Sequence, residues 1–190
     1  MKHRKLTSCA RCTTLWLWLV ILILPVAVSA QDDSQHMKAC TLLTPAELTA
    51  AIGGSVGRPK GIFTPPNPQF ARNGDFWSCE LTVGTRTVWI QYNTLPATEE
   101  GKKLARESQD RLRKEGYQIQ VKDLNGSLCS TMFQPARSKD TLKIVGTNCG
   151  RDKGPYHVLV IVGATGPNDL ISFEKVAALA EKAASRVPVH

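Results

Sequence analysis

Four cysteines that follow an export signal constrain the fold of this chain more than any other feature. They are Cys40, Cys79, Cys129 and Cys149. An even number of cysteines in an exported chain favours disulfides over metal binding or catalysis. No Cys-x-x-Cys pair remains among them, so a zinc site and a thioredoxin-type motif lack support. Of the three possible connectivities, we favour the one that joins sequence neighbours, Cys40 with Cys79 and Cys129 with Cys149.

Residues 1–30 have the features of a signal peptide. Basic residues precede an apolar run at 15–28, and Val28-Ser29-Ala30 fits a signal-peptidase site. The apolar run is shorter than the roughly 20 residues that a membrane-spanning helix needs, so cleavage is favoured over an uncleaved anchor. The sequence therefore predicts an exported protein, periplasmic or secreted, that meets a membrane only if the signal stays uncleaved.

The remaining chain is long enough for one domain with a single core. Residues 31–39 are polar and predict a flexible mature N-terminus, followed by a single domain over 40–188. The signal contains four of the 24 Lys and Arg residues and none of the 16 acidic residues. Its removal lowers the net charge from +8 to +4, because 20 basic residues then face 16 acidic ones. A charge this small does not favour nucleic acid as a partner.

The domain opens with a strongly signalled helix. Thr44 suits the N-cap, Pro45 suits the first helical position, and Glu47 stands where a capping box needs its carboxylate. Gly53 and Gly54 end the helix, because glycine accepts the left-handed backbone there.

Strands follow, with side chains that alternate between apolar and polar. This alternation predicts strands at 75–83, 87–93, 117–122, 127–133 and 141–149, and a short one near 61–63. Asn125-Gly126 is a strong signal for a two-residue hairpin turn. The run at 156–163 is apolar on both faces, which is typical of a central strand covered on both sides.

Two further helices are predicted, at 98–115 and 172–187. The outer face of the first carries six basic and five acidic side chains, which indicates a solvated face and not an anion-binding surface. A strand–turn–strand–helix succession occurs twice and hints at an internal repeat. Together the elements predict an α+β domain, an antiparallel sheet of about six to seven strands with three packed helices, stabilised by disulfides.

No reactive constellation stands out in the sequence. The mature chain contains His36, His157 and His190, and the first and last lie near the termini. His157 alternates with apolar neighbours on the predicted central strand, so a satisfied, partly buried imidazole is favoured over a base or ligand. Nucleotide, metalloprotease and serine-hydrolase motifs are absent. We therefore predict no catalytic residue, no metal site and no cofactor.

The segment with binding character is the loop at 58–72. It places two aromatic and three basic residues on a proline-stiffened backbone, namely Arg58, Lys60, Phe63, Phe70 and Arg72. A stiff loop with aromatic side chains can bind a ligand or partner at low entropic cost. The alternative is that both phenylalanines fold back onto the core as loop anchors.

The opening motif Cys40-Thr-Leu-Leu-Thr-Pro-Ala-Glu47 and the later Trp77-Ser-Cys79 carry a resemblance. They resemble exported bacterial domains of unknown function that begin with Cys-x-Leu-Leu-Thr-x-x-Glu, many of them actinobacterial lipoproteins. The resemblance implies a PsbP-like α/β sandwich and the Cys40–Cys79 pairing, and it supplies no catalytic residues. This chain lacks the lipidated cysteine of those lipoproteins.

Our leading hypothesis is a non-catalytic envelope domain that binds an envelope protein or a small ligand, through the loop at 58–72. One alternative is a small envelope hydrolase or transferase with an unrecognised site. A further alternative is a protease inhibitor that presents the same loop. The sequence names neither the ligand nor the oligomeric state.

Overall fold

A computed structural model of the chain describes residues 34–66, 74–94, 99–133 and 146–188. The predicted signal peptide at 1–30 lies outside these residues. The described part contains one antiparallel sheet with helices, as the sequence predicts. None of its helices is long and apolar enough to cross a membrane.

Helix α1 (Pro45–Ile52) begins and ends where the sequence predicts. The Thr44 N–H donates to Glu47 Oε2 at 2.9 Å, and the Glu47 N–H donates to Thr44 Oγ1 at 3.3 Å, which completes a capping box. Pro45 is the first helical residue, and Gly53 follows the helix with a φ of 86°. Two backbone donors of the helix start are thus satisfied locally.

Seven strands form the sheet, in the order β1-β2-β3-β7-β6-β5-β4. They are β1 (Lys60–Thr64), β2 (Phe76–Val83), β3 (Arg86–Thr94), β4 (Gln118–Leu124), β5 (Ser127–Phe133), β6 (Gly146–Lys153) and β7 (Tyr156–Gly163). The remaining helices are α2 (Glu99–Lys114) and α3 (Phe173–Arg186). β3 and β7 pair at the centre, and β2 and β6 flank them. The succession that hinted at a repeat thus occurs as β2–β3–α2 and β6–β7–α3.

Tight turns set the hairpins. Asn125 and Gly126 both have positive φ, 52° and 82°, as a two-residue hairpin turn between β4 and β5 requires. β6 continues to Lys153, beyond the end of the strand predicted at 141–149, and residues 141–145 lie outside the described part. Gly154, with a φ of 56°, confines the following turn to two residues, which lets β6 and β7 stay paired up to Lys153 and Tyr156.

One face of the sheet carries the core, and we call it the covered face. Its members recur at every second position of each strand and are buried: Trp77, Cys79, Leu81, Val88, Ile90, Tyr92, Cys129, Thr147, Cys149, Val158, Val160 and Val162. α3 packs on the β5–β7 side of this face and buries Val176 and Leu179 among others. Burying side chains of this size contributes about 1.5–3 kcal/mol each.

Two disulfides lie in this core, with the connectivity favoured from the sequence. Cys40–Cys79 joins the 3-10 turn at Lys38–Thr41 to β2, and Cys129–Cys149 joins directly opposite residues of β5 and β6. The Cα atoms of the two pairs are 4.9 Å and 4.0 Å apart. Disulfides of this kind indicate an oxidising setting.

Residues 34–39 pack on the sheet, whereas the sequence predicts a flexible terminus over 31–39. The Phe63 N–H donates to His36 Nδ1 at 3.1 Å, and Ala39 is fully buried. Lys38 Nζ lies 5.4 Å from the centre of the Trp77 ring. The reason is the disulfide at Cys40, which holds this segment against β1 and β2.

Candidate functional site

The structure describes three of the five loop residues proposed as a binding site. Arg58 and Lys60 are exposed, and Phe63 is half-buried in β1. Phe70 and Arg72 lie outside the described residues. Of the described three, Lys60 and Phe63 lie on opposite faces of β1, and the binding site as a whole stays a prediction.

Phe63 belongs to a row of aromatic rings on the covered face. Its ring lies 5.4 Å from that of Trp77, which stacks on Tyr92 at 4.5 Å, and Tyr156 meets Tyr92 edge-on at 6.1 Å. The register that pairs Phe63 with Trp77 and Trp77 with Tyr92 produces this row. For Phe63, the structure supports the alternative that the ring packs on the core as a loop anchor.

The rings at the centre of the aromatic row are buried. Trp77 and Tyr92 are 6% and 3% exposed, and burial is the main cause that raises the pKa of Tyr92 to about 12. The hydroxyl of Tyr92 is therefore protonated at any physiological pH. Trp77 Nε1 is buried and has no hydrogen-bond acceptor among the described residues. The row packs ring against ring and leaves no room for a ligand.

A groove of about 410 Å³ lies between α1 and α3. Its floor is made of small apolar residues and Leu179, and Glu47 and Lys182 stand at its rim. The two rim charges pair with each other at 3.6 Å, and Glu47 also binds Arg186. Lys175 also lines the groove. The Glu47 carboxylate is thus engaged by Lys182 and Arg186.

His157 is half-buried and satisfied, as the sequence predicts. Its Nδ1 lies 2.6 Å from Asp152 Oδ1 on the neighbouring strand. Among the described residues, no hydroxyl or thiol hydrogen-bonds to this imidazole, and the cysteines are in disulfides. The described residues also contain no group of three or more His, Cys, Asp or Glu that could hold a metal ion. His157 and Asp152 therefore form a pair without a nucleophile.

The opposite face of the sheet differs from the covered face, and we call it the open face. Strand alternation and register place on it Lys60, Ile62, Glu80, Trp89, Gln91, Val121, Asp123, Leu128, Ser130, Asn148, His157, Leu159 and Ile161. α3 packs on the other side, and the main contacts of α2 are with β4, the strand that follows it. No described helix packs on the open face as α3 packs on the covered face.

Several large apolar side chains lie on the open face among polar ones. Ile62, Val121 and Leu128 are 39%, 48% and 60% exposed, and these exposed large hydrophobic residues of the described chain all lie on it. Leu159 and Ile161 are half-buried at its centre, on β7. A single exposed Leu needs no explanation, but several on one continuous face indicate an interaction surface.

Rings lie flat over glycines on this face. A Cβ at Gly150 would stand 2.8 Å from Nε2 of His157, and one at Gly163 would stand 3.5 Å from Cζ3 of Trp89. Trp89 Nε1 is anchored by Glu80 Oε2 at 3.3 Å. The absence of side chains at these glycines lets the two rings lie close to the backbone.

Comparison with protein-family models, with curated proteins and with solved structures finds no significant match. The function must therefore be inferred from the residues of this chain.

The signal for the open face was present in the sequence. β7 occupies the centre of the sheet, as its run of apolar residues predicts, and Val158, Val160 and Val162 are buried on the covered face. The same run predicts cover on both sides, yet α3 covers only one. Because the sequence analysis took the strand to be covered on both sides, it missed the second apolar face as a surface.

Proposed function

We propose that this chain is an exported, non-catalytic domain that binds a protein partner through the open face of its sheet. The observation that carries the proposal is the composition of β7. Its two faces are both apolar, as in strands buried on both sides. Within the described part of the chain, no helix packs on the face that carries Leu159 and Ile161. A protein partner would supply the missing layer.

Export is part of the proposal. The segment 1–30 has the composition of a signal peptide, and the two disulfides require an oxidising compartment to form. A resemblance of Cys40–Glu47 to the start of exported bacterial domains agrees with this. A periplasmic or secreted location follows, and N-terminal sequencing of the mature protein tests it.

The proposal selects a protein over a small molecule because the open face is the broad surface of a seven-stranded sheet. Small ligands bind in concave pockets that bury most of their surface, whereas the two described cavities lie at the helices α1 and α3 and near the β4–β5 turn. Flat apolar surfaces with a polar rim are typical of protein interfaces. Glu80, Asp123 and Asp152 supply polar groups around the apolar centre.

The experiment uses the mature domain as bait in an envelope extract of its own host. Leu128→Lys and Val121→Lys change exposed positions of the open face, and Ala178→Lys is the matched control on α3, also exposed but on the other side of the sheet. We expect the same protein to be recovered by the wild type and the control and lost by the open-face variants. Recovery that is equal for all four proteins would contradict the proposal, as would catalytic turnover that a point mutation abolishes without unfolding the domain.

A further inference from the structure

Helix α2 connects two strands that lie far apart in the sheet. β3 precedes it and β4 follows it, and β7, β6 and β5 lie between these two strands. Every neighbouring pair along this part of the sheet is antiparallel, so β3 and β4 run parallel to each other. A connection between parallel strands of one sheet crosses over one of its faces. α2 therefore belongs to a crossover that passes three strands.

The covered side of these three strands is already occupied. α3 packs there on β7, β6 and β5, and it also contacts β4. The crossover cannot take the same space, so a direct path for α2 leads over the open face.

The hand of the crossover leads to the same face. Val83 and Arg86 flank a two-residue turn, so Arg86 and every second residue after it, on the covered face, form their backbone hydrogen bonds with β2. For L-amino acids, this pattern places β2 on the right and β4 on the left when the covered face is viewed with β3 pointing up. Such connections are right-handed in about 98% of cases. A right-handed path to the left runs behind the sheet in this view, over the open face.

α2 is little buried in the structure. Its main contacts are with β4, and among its described side chains Gln109 and Leu112 are half-buried while the others are exposed. These two residues are three positions apart and so share one face of the helix. With 16 residues, α2 is close to the length at which isolated helices are marginal in water, and packing of an amphipathic face is what stabilises most helices.

The open face offers α2 a surface of matching length. β6 lies midway between β3 and β4, and two of the residues that it presents there are Gly146 and Gly150, the second covered by the His157 ring. The neighbouring strands present Ile161 on one side and Leu128 on the other. A helix of 16 residues is about 24 Å long, and a strand of 8 residues spans about 26 Å. α2 can therefore lie along β6 over its whole length.

We propose that α2 covers the open face while no partner is bound, and that a protein partner has to displace it. This inference rests on the proposed function of the open face. Gly116 follows α2 with a φ of 89°, and no atom of the described residues lies within 4 Å of a Cβ placed there. α2 can pivot at this end without a clash. Its cover lowers the apparent affinity for the partner by the fraction of molecules in which the face is free.

Hydrogen–deuterium exchange of the mature protein, measured by mass spectrometry, tests the position of α2. We expect the α2 amides to exchange at least about tenfold more slowly in the wild type and in Ala178→Lys than in Leu128→Lys, which puts a charge under the helix. The α3 amides should exchange equally in all three proteins, which shows that the fold is retained. Where they do not, Val121→Lys replaces Leu128→Lys. Equal exchange of α2 in all the proteins overturns the inference.

Displacement is tested by substitutions in α2, with the recovery experiment on the envelope extract. Leu112→Gln changes a half-buried apolar residue, and Arg111→Gln is the matched control at the exposed neighbouring position. We expect Leu112→Gln to recover at least about twofold more of the host protein than the wild type, and Arg111→Gln to recover the same amount as the wild type. Unchanged recovery by Leu112→Gln would also overturn the inference.

The outcomes separate this inference from the proposed function. A host protein that is lost in Leu128→Lys, together with equal α2 exchange in every variant, overturns the inference and leaves the proposed function standing. Slow α2 exchange that is lost in Leu128→Lys, with no host protein recovered by any variant, overturns the proposed function and with it the displacement by a partner.

Discussion

Arg186, the last residue of α3, forms a two-point ion pair with Glu47 of α1. Nη1 lies 2.7 Å from Oε2 and Nη2 lies 2.8 Å from Oε1, between residues 139 positions apart. The same Nη1 donates to the Leu42 carbonyl at 2.8 Å. Since Glu47 also caps α1 through Thr44, one carboxylate joins the opening turn of the domain to its closing helix.

The ion pair predicts a defined pH dependence of stability. The Arg186 guanidinium and the Thr44 N–H hold the pKa of Glu47 well below its usual range. The contribution to the free energy of unfolding is therefore full above the unfolded pKa of about 4.3 and is lost as the pH falls towards the folded value. We expect Glu47→Gln to lower stability by about 1–2 kcal/mol at pH 7 and by progressively less below about pH 4. Urea unfolding at several pH values measures this.

A matched control for this prediction is Glu181→Gln. Glu181 is exposed on α3 and lies 3.9 Å from Arg151, so the charge is well solvated and its loss should be nearly neutral. An equal cost of Glu47→Gln at pH 7 and pH 3 would show that the stabilisation does not come from the ionised carboxylate.

The two disulfides should both be needed for a stable domain. They close loops with sequence separations of 39 for Cys40–Cys79 and 20 for Cys129–Cys149. In the chain-entropy model, replacing either pair by alanine lowers the free energy of unfolding by about 3–4 kcal/mol, slightly more for the longer loop. Denaturant unfolding of the two double variants measures the difference. A much larger loss of unfolding free energy on removal of Cys129–Cys149, which closes the shorter loop, would contradict loop-closure entropy as the main source of the stabilisation.

Gly146 should not tolerate a side chain. A Cβ there would stand 2.7 Å from the carbonyl oxygen of Val162, which is backbone of a central strand and cannot move aside. We expect Gly146→Ala to lower stability by about 1–3 kcal/mol. Gly166→Ala is the control, because no atom lies within 4 Å of its Cβ position and its φ of −173° suits any residue. Its melting temperature should equal or slightly exceed that of the wild type, and similar losses at both glycines would contradict the argument.

Substitutions at Phe63 and Ile62 should have separate effects, one on folding stability and the other on partner binding. They are neighbours on β1 and point to opposite faces of the sheet. Phe63→Ala removes a ring that packs on Trp77 and should lower the free energy of unfolding by about 1–3 kcal/mol. Ile62→Ala should leave the fold intact and weaken partner binding, because Ile62 is 39% exposed on the open face. Loss of binding in Phe63→Ala with an intact fold, together with normal binding by Ile62→Ala, would place the binding surface at the aromatic row instead.

Local features were predictable because their causes are local. The capping box of Thr44 and Glu47 is complete within four residues, and the turn at Asn125-Gly126 depends only on the backbone freedom of those two positions. The cysteine pairing followed from sequence proximity. The packing of residues 34–39 was not predictable, because their polar composition does not reveal that the disulfide at Cys40 holds them on β2.

The candidate site was only partly predictable. The sequence identified aromatic and basic residues near the proline-rich loop, but the register of β1 on β2 turns Phe63 into the core. The exposed face that the structure shows instead combines Ile62, Leu128 and Leu159, which lie on three different strands. Residues so far apart in the chain come to share one sheet face only after the strands have paired.

The order of residues alone is enough to predict the local elements: a capped opening helix, strands with alternating side chains, two-residue turns and four cysteines for two disulfides. These depend on contacts within a few residues, so the order of residues is sufficient to specify them. The strand order, with β7 at the centre and α3 packed on the covered face, became known only from the three-dimensional arrangement. It depends on which distant segments bury the most apolar surface together, and the apolar side chains left over on the open face are the consequence.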